Sequence, residues 1–189
     1  MARKAKSRPT ARSSEAATTP RETIIEAFMT LLADHPIEDI GLADIASEAG
    51  VTLSELRDAF GSPMAILAAH IKDIDRKVLD GGDADMDDES PRERLFDVLM
   101  RRLELLDPYK AAVRSLMRSA SRNPGLALTL NAHAVCSQQW MLTAAGINAN
   151  GPKGILRAQG LALLFANVLG TWVDDEDDDE RTMAALDRE

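Results

Sequence analysis

Aromatic residues are scarce. They make up only 4% of the 189 residues, so a core has to be built from Leu, Ala, Ile, Val and Met. That bias favours helices over sheets, because strands draw on aromatic and β-branched side chains. Cysteine is almost absent too. The single Cys136 excludes an internal disulfide and fits a reducing cytoplasm. The longest apolar stretch, Gly160 to Val173, is too short to span a bilayer and contains Asn167. No apolar run follows the basic N-terminus, so no signal peptide is expected. These absences predict a soluble, cytoplasmic protein with no membrane partner.

The motifs of enzyme chemistry are missing as well. There is no glycine-rich phosphate loop, no nucleophile with a base at motif spacing, and no paired carboxylates in an apolar setting. Of the three histidines, His35 falls at a helix end, His70 on a surface-like helix and His133 in the C-terminal half. His133 and Cys136 stand at i, i+3, but a metal site normally needs three or four ligands and no third is evident. No enzyme activity, metal or cofactor is expected.

Positive charge is in deficit: the net charge is −9. Its distribution says more than the sum. Arg3, Lys4, Lys6, Arg8 and Arg12 crowd the first twenty residues against Glu15 alone, whereas residues 21–80 hold five basic and twelve acidic side chains. A basic arm therefore precedes an acidic segment.

What is present reads as a succession of capped helices. Residues 1–18 lack periodicity and read as a disordered basic tail. Thr19-Pro20-Arg21-Glu22 forms a capping box, and Ile24, Ile25, Phe28, Met29 and Leu32 then share one helical face. That helix should stop before Pro36. A short helix from Leu42 to Ala49 ends at Gly50, and Thr52-Leu53-Ser54-Glu55 opens another that ends near Phe60. Ser62-Pro63 caps a linking helix over residues 63–80. Gly81 to Glu89 is an acidic linker; Asp83, Asp85 and Asp87 mimic the start of a calcium loop, but Asp88 and Arg94 stand where that loop needs glycine and glutamate. Ser90-Pro91-Arg92-Glu93 is a third capping box. From there the spacing predicts helices at about 91–106, 108–122, 125–145, 153–173 and 178–189. The domains read from this pattern are 19–62, the linking helix 63–80 and a helical body over 90–189.

The most specific segment is Gly41 to Leu67. Two short helices joined by a tight Ala-Gly-Val corner define a helix-turn-helix. Ala46 and Ala49 are small where the helices must cross, Gly50 turns the backbone, and Ile45, Val51, Leu56 and Phe60 supply the seam. With the helix from Arg21, this segment resembles the TetR family of one-component regulators. The matching run is Gly50-Val51-Thr52-Leu53-Ser54-Glu55-Leu56-Arg57-Asp58-Ala59-Phe60-Gly61-Ser62-Pro63. Arg57 stands at the family's phosphate-contacting tyrosine, Ala59 at its histidine and Pro63 at its lysine.

The resemblance implies an all-α, TetR-like fold of nine helices: three in a DNA-reading head, a linking fourth, and five in a ligand-binding, dimerising body. It implies a ligand-responsive DNA-binding transcription regulator, most simply a repressor, with operator DNA, a small hydrophobic ligand and a second copy of the chain as partners. Thr52, Leu53, Ser54, Arg57 and Asp58 would then face the major groove. Arg3, Lys4, Lys6, Arg8 and Arg12 would supply affinity through phosphates or the minor groove. An inherited framework without strong DNA binding is the other reading.

In the body, Phe96, Met100, Leu103, Leu116, Met117, Leu130, His133, Cys136, Trp140 and Met141 are compatible with the lining of one hydrophobic pocket, and equally with an ordinary core. The apolar face Leu161, Leu164, Phe165, Val168, Leu169 and Trp172, with Gly160, Ala162, Ala166 and Gly170 beside it, is expected to form a dimer interface or internal packing. The stretch Leu161 to Leu186, with Trp172-Val173-Asp174 and Thr182 to Asp187, also resembles the lipid-binding accessory proteins of ubiquinone biosynthesis, which share the TetR fold. That second resemblance implies a lipid- or hydrophobic-ligand-binding protein with little specific DNA binding. The acidic run Asp174–Glu180 reads as a solvated helix start.

Overall fold

A computed structural model describes residues 19–82 and 89–174. The tail, residues 83–88 of the acidic linker and the expected helix at 178–189 lie outside the described residues. Among the described residues there are eight α-helices and no strand. They are α1 (Pro20–Asp34), α2 (Leu42–Ala49), α3 (Leu53–Ala59), α4 (Pro63–Asp80), α5 (Pro91–Leu106), α6 (Lys110–Arg122), α7 (Pro124–Ala144) and α8 (Gly151–Asp174).

The three capping boxes all close. Thr19, Thr52 and Ser90 each donate a backbone N–H to the glutamate three residues on, at 2.8, 2.8 and 2.9 Å. Each glutamate N–H returns a bond to the cap hydroxyl, at 3.3, 3.2 and 3.3 Å. These bonds satisfy donors that a helix start leaves unpaired. They also lower the pKa of the Glu22, Glu55 and Glu93 carboxyls, because the ionised form accepts them. Pro20, Pro63, Pro91 and Pro124 stand in first turns, where a missing N–H costs nothing.

Periodicity alone did not mark two short 3-10 turns. Ile37–Asp39 follows Pro36, and Asp107–Tyr109 joins α5 to α6, so α6 begins at Lys110 rather than 108. The last described helix also starts earlier than its apolar run, at Gly151, and reaches 24 residues. By length and composition it is long and apolar enough to cross a membrane. Its Ala158, Leu161, Phe165, Val168 and Trp172 instead lie in the protein core.

Two cores share one helix. The first gathers Ile24, Phe28 and Leu32 of α1 with Ile45, Leu56 and Phe60, and with Ile66 and Leu67 from the start of α4. The second gathers Leu99 and Leu103 of α5, Met141 of α7 and Phe165 and Trp172 of α8, with Ile74 and Val78 from the end of α4. Helix α6 lies along α1 and contacts α7 and α8, so it closes the two halves against each other. Leu116 and Leu130, compatible in sequence with a pocket lining or an ordinary core, pack on the first core.

His70 occupies α4 between the two sets of core contacts. The expectation of a surface-like position is wrong: only 5% of the residue is exposed. His70 stands three or four residues from Ile66, Leu67 and Ile74 and so shares their buried helical face. Its ring meets Tyr109 edge-on at 4.4 Å, and the Tyr109 hydroxyl donates to Glu26 of α1 at 2.7 Å. Burial, with that hydrogen bond, raises the Tyr109 pKa to about 12. Nearby, Arg21 of α1 pairs with Asp73 of α4 at 2.7 Å, and the Ser115 hydroxyl donates to the His35 carbonyl.

Burial lowers the His70 pKa to about 4; Glu26 and Asp73 oppose the shift and Lys77 adds to it. A depressed histidine pKa means that the unfolded chain takes up a proton which the folded one refuses. Stability should therefore be full above pH 6.5 and fall as pH drops toward about 4. The loss should be on the order of 3 kcal/mol across that window. Denaturant titrations across that interval should show this slope in the wild type, and His70→Phe should flatten it.

Candidate functional site

The corner between α2 and α3 is a backbone device. Gly50 sits at φ 64° and ψ 30°, the left-handed region that glycine reaches without a Cβ penalty. Behind it, the Val51 N–H donates to the Ala46 carbonyl at 3.0 Å. Ile45, Ala46, Leu56 and Phe60 are all buried along the seam, with Ala49 and Val51 half-buried. Small side chains at 46 and 49 let the two helices cross closely, and burial of Leu56 fixes which face of α3 points inward.

The opposite face of α3 is open. Thr52, Leu53, Ser54, Arg57 and Asp58 are all exposed, Leu53 to 58%. Their roles are not equal. The Thr52 hydroxyl donates to Glu55 Oε2 at 2.8 Å as part of the cap, so it is already engaged within the chain. Arg57 is the one cation in the α3 sequence; its Nη1 reaches the Gly61 carbonyl at a loose 3.4 Å. Glu55 is held against the helix start by its bonds to Thr52, which leaves Asp58 as the freer acid on this surface. The tail cations Arg3, Lys4, Lys6, Arg8 and Arg12 lie outside the described residues.

The body places its candidate residues differently from their sequence pattern. Leu103 and Met141 are buried in the second core, and Phe96, Met100 and Met117 pack on it half-buried. His133 is half-buried, whereas Cys136 is exposed and Trp140 is 57% exposed. Cys136 and Trp140 therefore do not line an interior site. The reason is that α7 carries apolar residues on every side, so its inward face cannot be picked by counting them. The inward residues next to them are polar: Ser137 and Gln138, 2% and 1% exposed. Among the described residues no three metal-ligating side chains converge.

Ser137 belongs to a buried polar cluster that sequence reasoning missed. Arg102 of α5, only 7% exposed, pairs with Asp75 of α4 at 3.0 Å and donates to Ser137 Oγ. Ser137 in turn donates to Asp75 Oδ1 at 2.7 Å. The guanidinium lies over the Phe165 ring of α8, 5.2 Å from its centroid. Four helices thus meet at one charge. Burial lowers the Arg102 pKa, and Asp75 counters the effect. Arg102 Nε and Gln138 Oε1 have no partner among the described residues, a situation that costs about 1–3 kcal/mol per buried group. Asp75 and Arg102 stand at intervals that suit ordinary surface charges, so nothing in the one-dimensional pattern marks them.

The expected dimer face also turns inward. Leu161, Phe165, Val168 and Trp172 are each under a tenth exposed within a single protomer, and Leu164 and Leu169 are half-buried. An α8 that packs on α7 and α6 must direct its densest apolar stripe toward them. The outward stripe of α8 is Leu156, Gly160, Leu163 and Asn167, with Leu156 72% exposed. Asn131 and Gln159 exchange hydrogen bonds at 3.0 Å and clasp α7 to α8. The second resemblance rests partly on Thr182 to Asp187, outside the described residues; its Trp172-Val173-Asp174 segment is simply the end of α8.

No protein-family profile matches the chain, and no curated protein matches it in sequence. Solved structures do share its fold. A TetR transcriptional regulator from Nitrosomonas europaea ATCC 19718 superposes with a TM-score of 0.70 at 22% identity, over 90% of this chain and 95% of the other. A TetR transcriptional regulator from Rhodococcus sp. RHA1 gives 0.58 at 20% identity, over 92% and 94%. A TetR-family transcriptional regulator from Streptomyces coelicolor gives 0.55 at 15% identity, over 88% and 77%. The chain therefore has the all-α fold of the TetR regulators, as its helix-turn-helix segment implied.

The corner can be tested directly. A Cβ added at Gly50 meets no atom within 4 Å, so the cost of Gly50→Ala is conformational alone. It should destabilise the protein by about 1–2 kcal/mol in chemical denaturation. Thr52→Ala should cost about 1 kcal/mol through the lost cap.

Proposed function

We propose that this protein is a ligand-responsive, DNA-binding transcription regulator that acts as a cytoplasmic homodimer, most simply as a repressor, without enzymatic activity. The observation that carries this reading is the buried seam of α2 and α3, which leaves the outer face of α3 exposed among the described residues. Leu53, Ser54 and Arg57 are the side chains offered to a major groove, with Asp58 beside them. Arg57 is the head's phosphate-binding group on this helix, since a guanidinium suits phosphate geometry. The basic tail supplies the electrostatic attraction that the acidic head lacks.

Dimerisation uses the outward stripe of α8 rather than its core face. Leu156 and Leu163 flank Gly160, where a Cβ would meet nothing within 4 Å among the described residues, so a close neighbour is admitted there. A two-fold axis along this stripe would bring two heads to successive major grooves, about 34–36 Å apart. Ligand control then requires a body whose ligand-bound and ligand-free states hold α4 differently. Helix α4 links the two cores and is the element such a ligand would bias.

A salt-dependent titration against DNA flanking the protein's own gene tests the reading. Specific binding should weaken about tenfold with Arg57→Ala, and its salt slope should fall by about one. Removing residues 1–18 should weaken binding to all sequences and flatten the salt dependence further. Sequence-blind binding that vanishes with the tail would sink the regulator and favour a hydrophobic-ligand carrier of the same fold. For the dimer, Leu156→Glu with Leu163→Glu places four carboxylates in an isologous contact. Sedimentation should then show a monomer whose helical content is unchanged.

A further inference from the structure

We propose that the acidic run Asp174–Glu180 docks as a strap on the basic stripe of α6, against Lys110, Arg114 and Arg118. The proposal does not depend on the regulator reading. Helix α6 has the sequence KAAVRSLMRSASR, so Lys110, Arg114, Arg118 and Arg122 recur at every fourth position and no acid lies among them. Residues spaced in this way are neighbours on a helix surface, where like charges repel. Arg118 and Arg122 are exposed and form no ion pair among the described residues.

The end of α8 already lies on this stripe. Lys110 Nζ is 5.2 Å from the centre of the Trp172 ring, and Arg114 donates through Nη2 to the Val173 carbonyl. Further along, Met117 Cε is 3.7 Å from where a Cβ on Gly170 would stand. Numbers rise along α8 as they fall along α6, so the two helices run antiparallel and the chain leaves α8 beside Arg114. Asp174 is the first of the consecutive acids that continue to Glu180. Such a run reaches up to ~23–25 Å, whereas Arg114 and Arg118 are only ~6 Å apart along the helix axis. The tether is long enough to set carboxylates on all three cations whichever way the chain turns.

Each partner is misplaced by local rules. Acids that follow a helix C-terminus meet the negative end of its macrodipole, and the last turn of α8 holds no cation. Helix α6 begins with Lys110, has no acid in its first turn and lacks a side-chain cap, although the positive end of a dipole favours anions. Setting one against the other offsets both. Capping of the Val173 carbonyl accounts for Arg114 alone and leaves Arg118 without a role. A docked strap also withholds the stripe from external polyanions.

Disulfide trapping in the full chain tests the contact. With Cys136→Ser, the pair Ala111→Cys and Asp177→Cys keeps every cation of the stripe, since the exposed Ala111 lies beside Arg114 and Arg118. Under a mild oxidant this pair should cross-link about fivefold faster than the same pair carrying Arg118→Gln and Arg122→Gln. The advantage should disappear at about 1 M salt. Separately, Asp175→Asn with Asp177→Asn and Asp178→Asn should lower Tm by about 2–4 °C in low-salt buffer. The drop should be smaller in the Arg118→Gln, Arg122→Gln background, because the charges are coupled. Circular dichroism checks that each variant folds. A cross-linking rate indifferent to the arginines, a Tm that rises when the acids are neutralised, or shifts that simply add would each overturn the proposal. Binding of inorganic polyphosphate by the wild type through Arg118 and Arg122 would assign the stripe to an external anion and overturn it too.

Discussion

Helix α4 has to be buried twice, and the rest of the molecule is arranged around that requirement. Ile66 and Leu67 complete the first core, and Ile74 and Val78 complete the second. Full burial of such side chains contributes roughly 1.5–3 kcal/mol each, so neither half can release α4 without losing several kcal/mol. The α2–α3 seam is thereby anchored to a helix whose other end lies under α5 and α7. Any rotation of α4 that is tolerated in one core has to be accommodated in the other, since packed interiors resist continuous deformation.

The polar groups on α4 lie between and beside these apolar contacts. His70 abuts Tyr109, which packs on both cores, and Asp75 holds Arg102 in the second. Buried polar pairs of this kind add little net stability compared with apolar replacements, because desolvation offsets much of their attraction. Their effect is directional instead. They accept one rotational setting of α4 and penalise its neighbours. Arg21–Asp73 and the Tyr109–Glu26 hydrogen bond add further ties between α1, α4 and the α5–α6 connection. Helix, junction and body are thus joined by contacts with discrete geometries, a property that a two-state response to a ligand requires.

The head shows a different balance. Its scaffold is built from apolar residues and one left-handed glycine, and the outer face of α3 carries few groups that attract DNA. The acids of this segment are partly explained by folding needs. Glu22 and Glu55 close capping boxes, and Asp73 pairs with Arg21. These acids stay ionised in those roles, and Glu55 and Asp58 are both exposed on α3.

Local chemistry was enough to read the helix starts, the Gly50 corner, the seam of Ile45, Ala46, Leu56 and Phe60, and the outward direction of Arg57. Each depends on neighbours within a few residues, which the chain order states directly. Inward and outward faces in the body were a different matter. Helix α7 carries apolar residues on every side, so Trp140 and Cys136 fit a lining pattern although they are exposed and Ser137, Gln138, Met141 and Leu142 are buried. Helix α8 has one dense apolar stripe, and chain order does not say whether that stripe meets its own protomer or another. The pairing of Asp75 with Arg102, and of His70 with Tyr109, joins residues of separate elements that no local pattern relates. Only the packing of α4 against α5, α7 and the α5–α6 connection brings them together, because burial is a property of the assembled helices and not of any one of them.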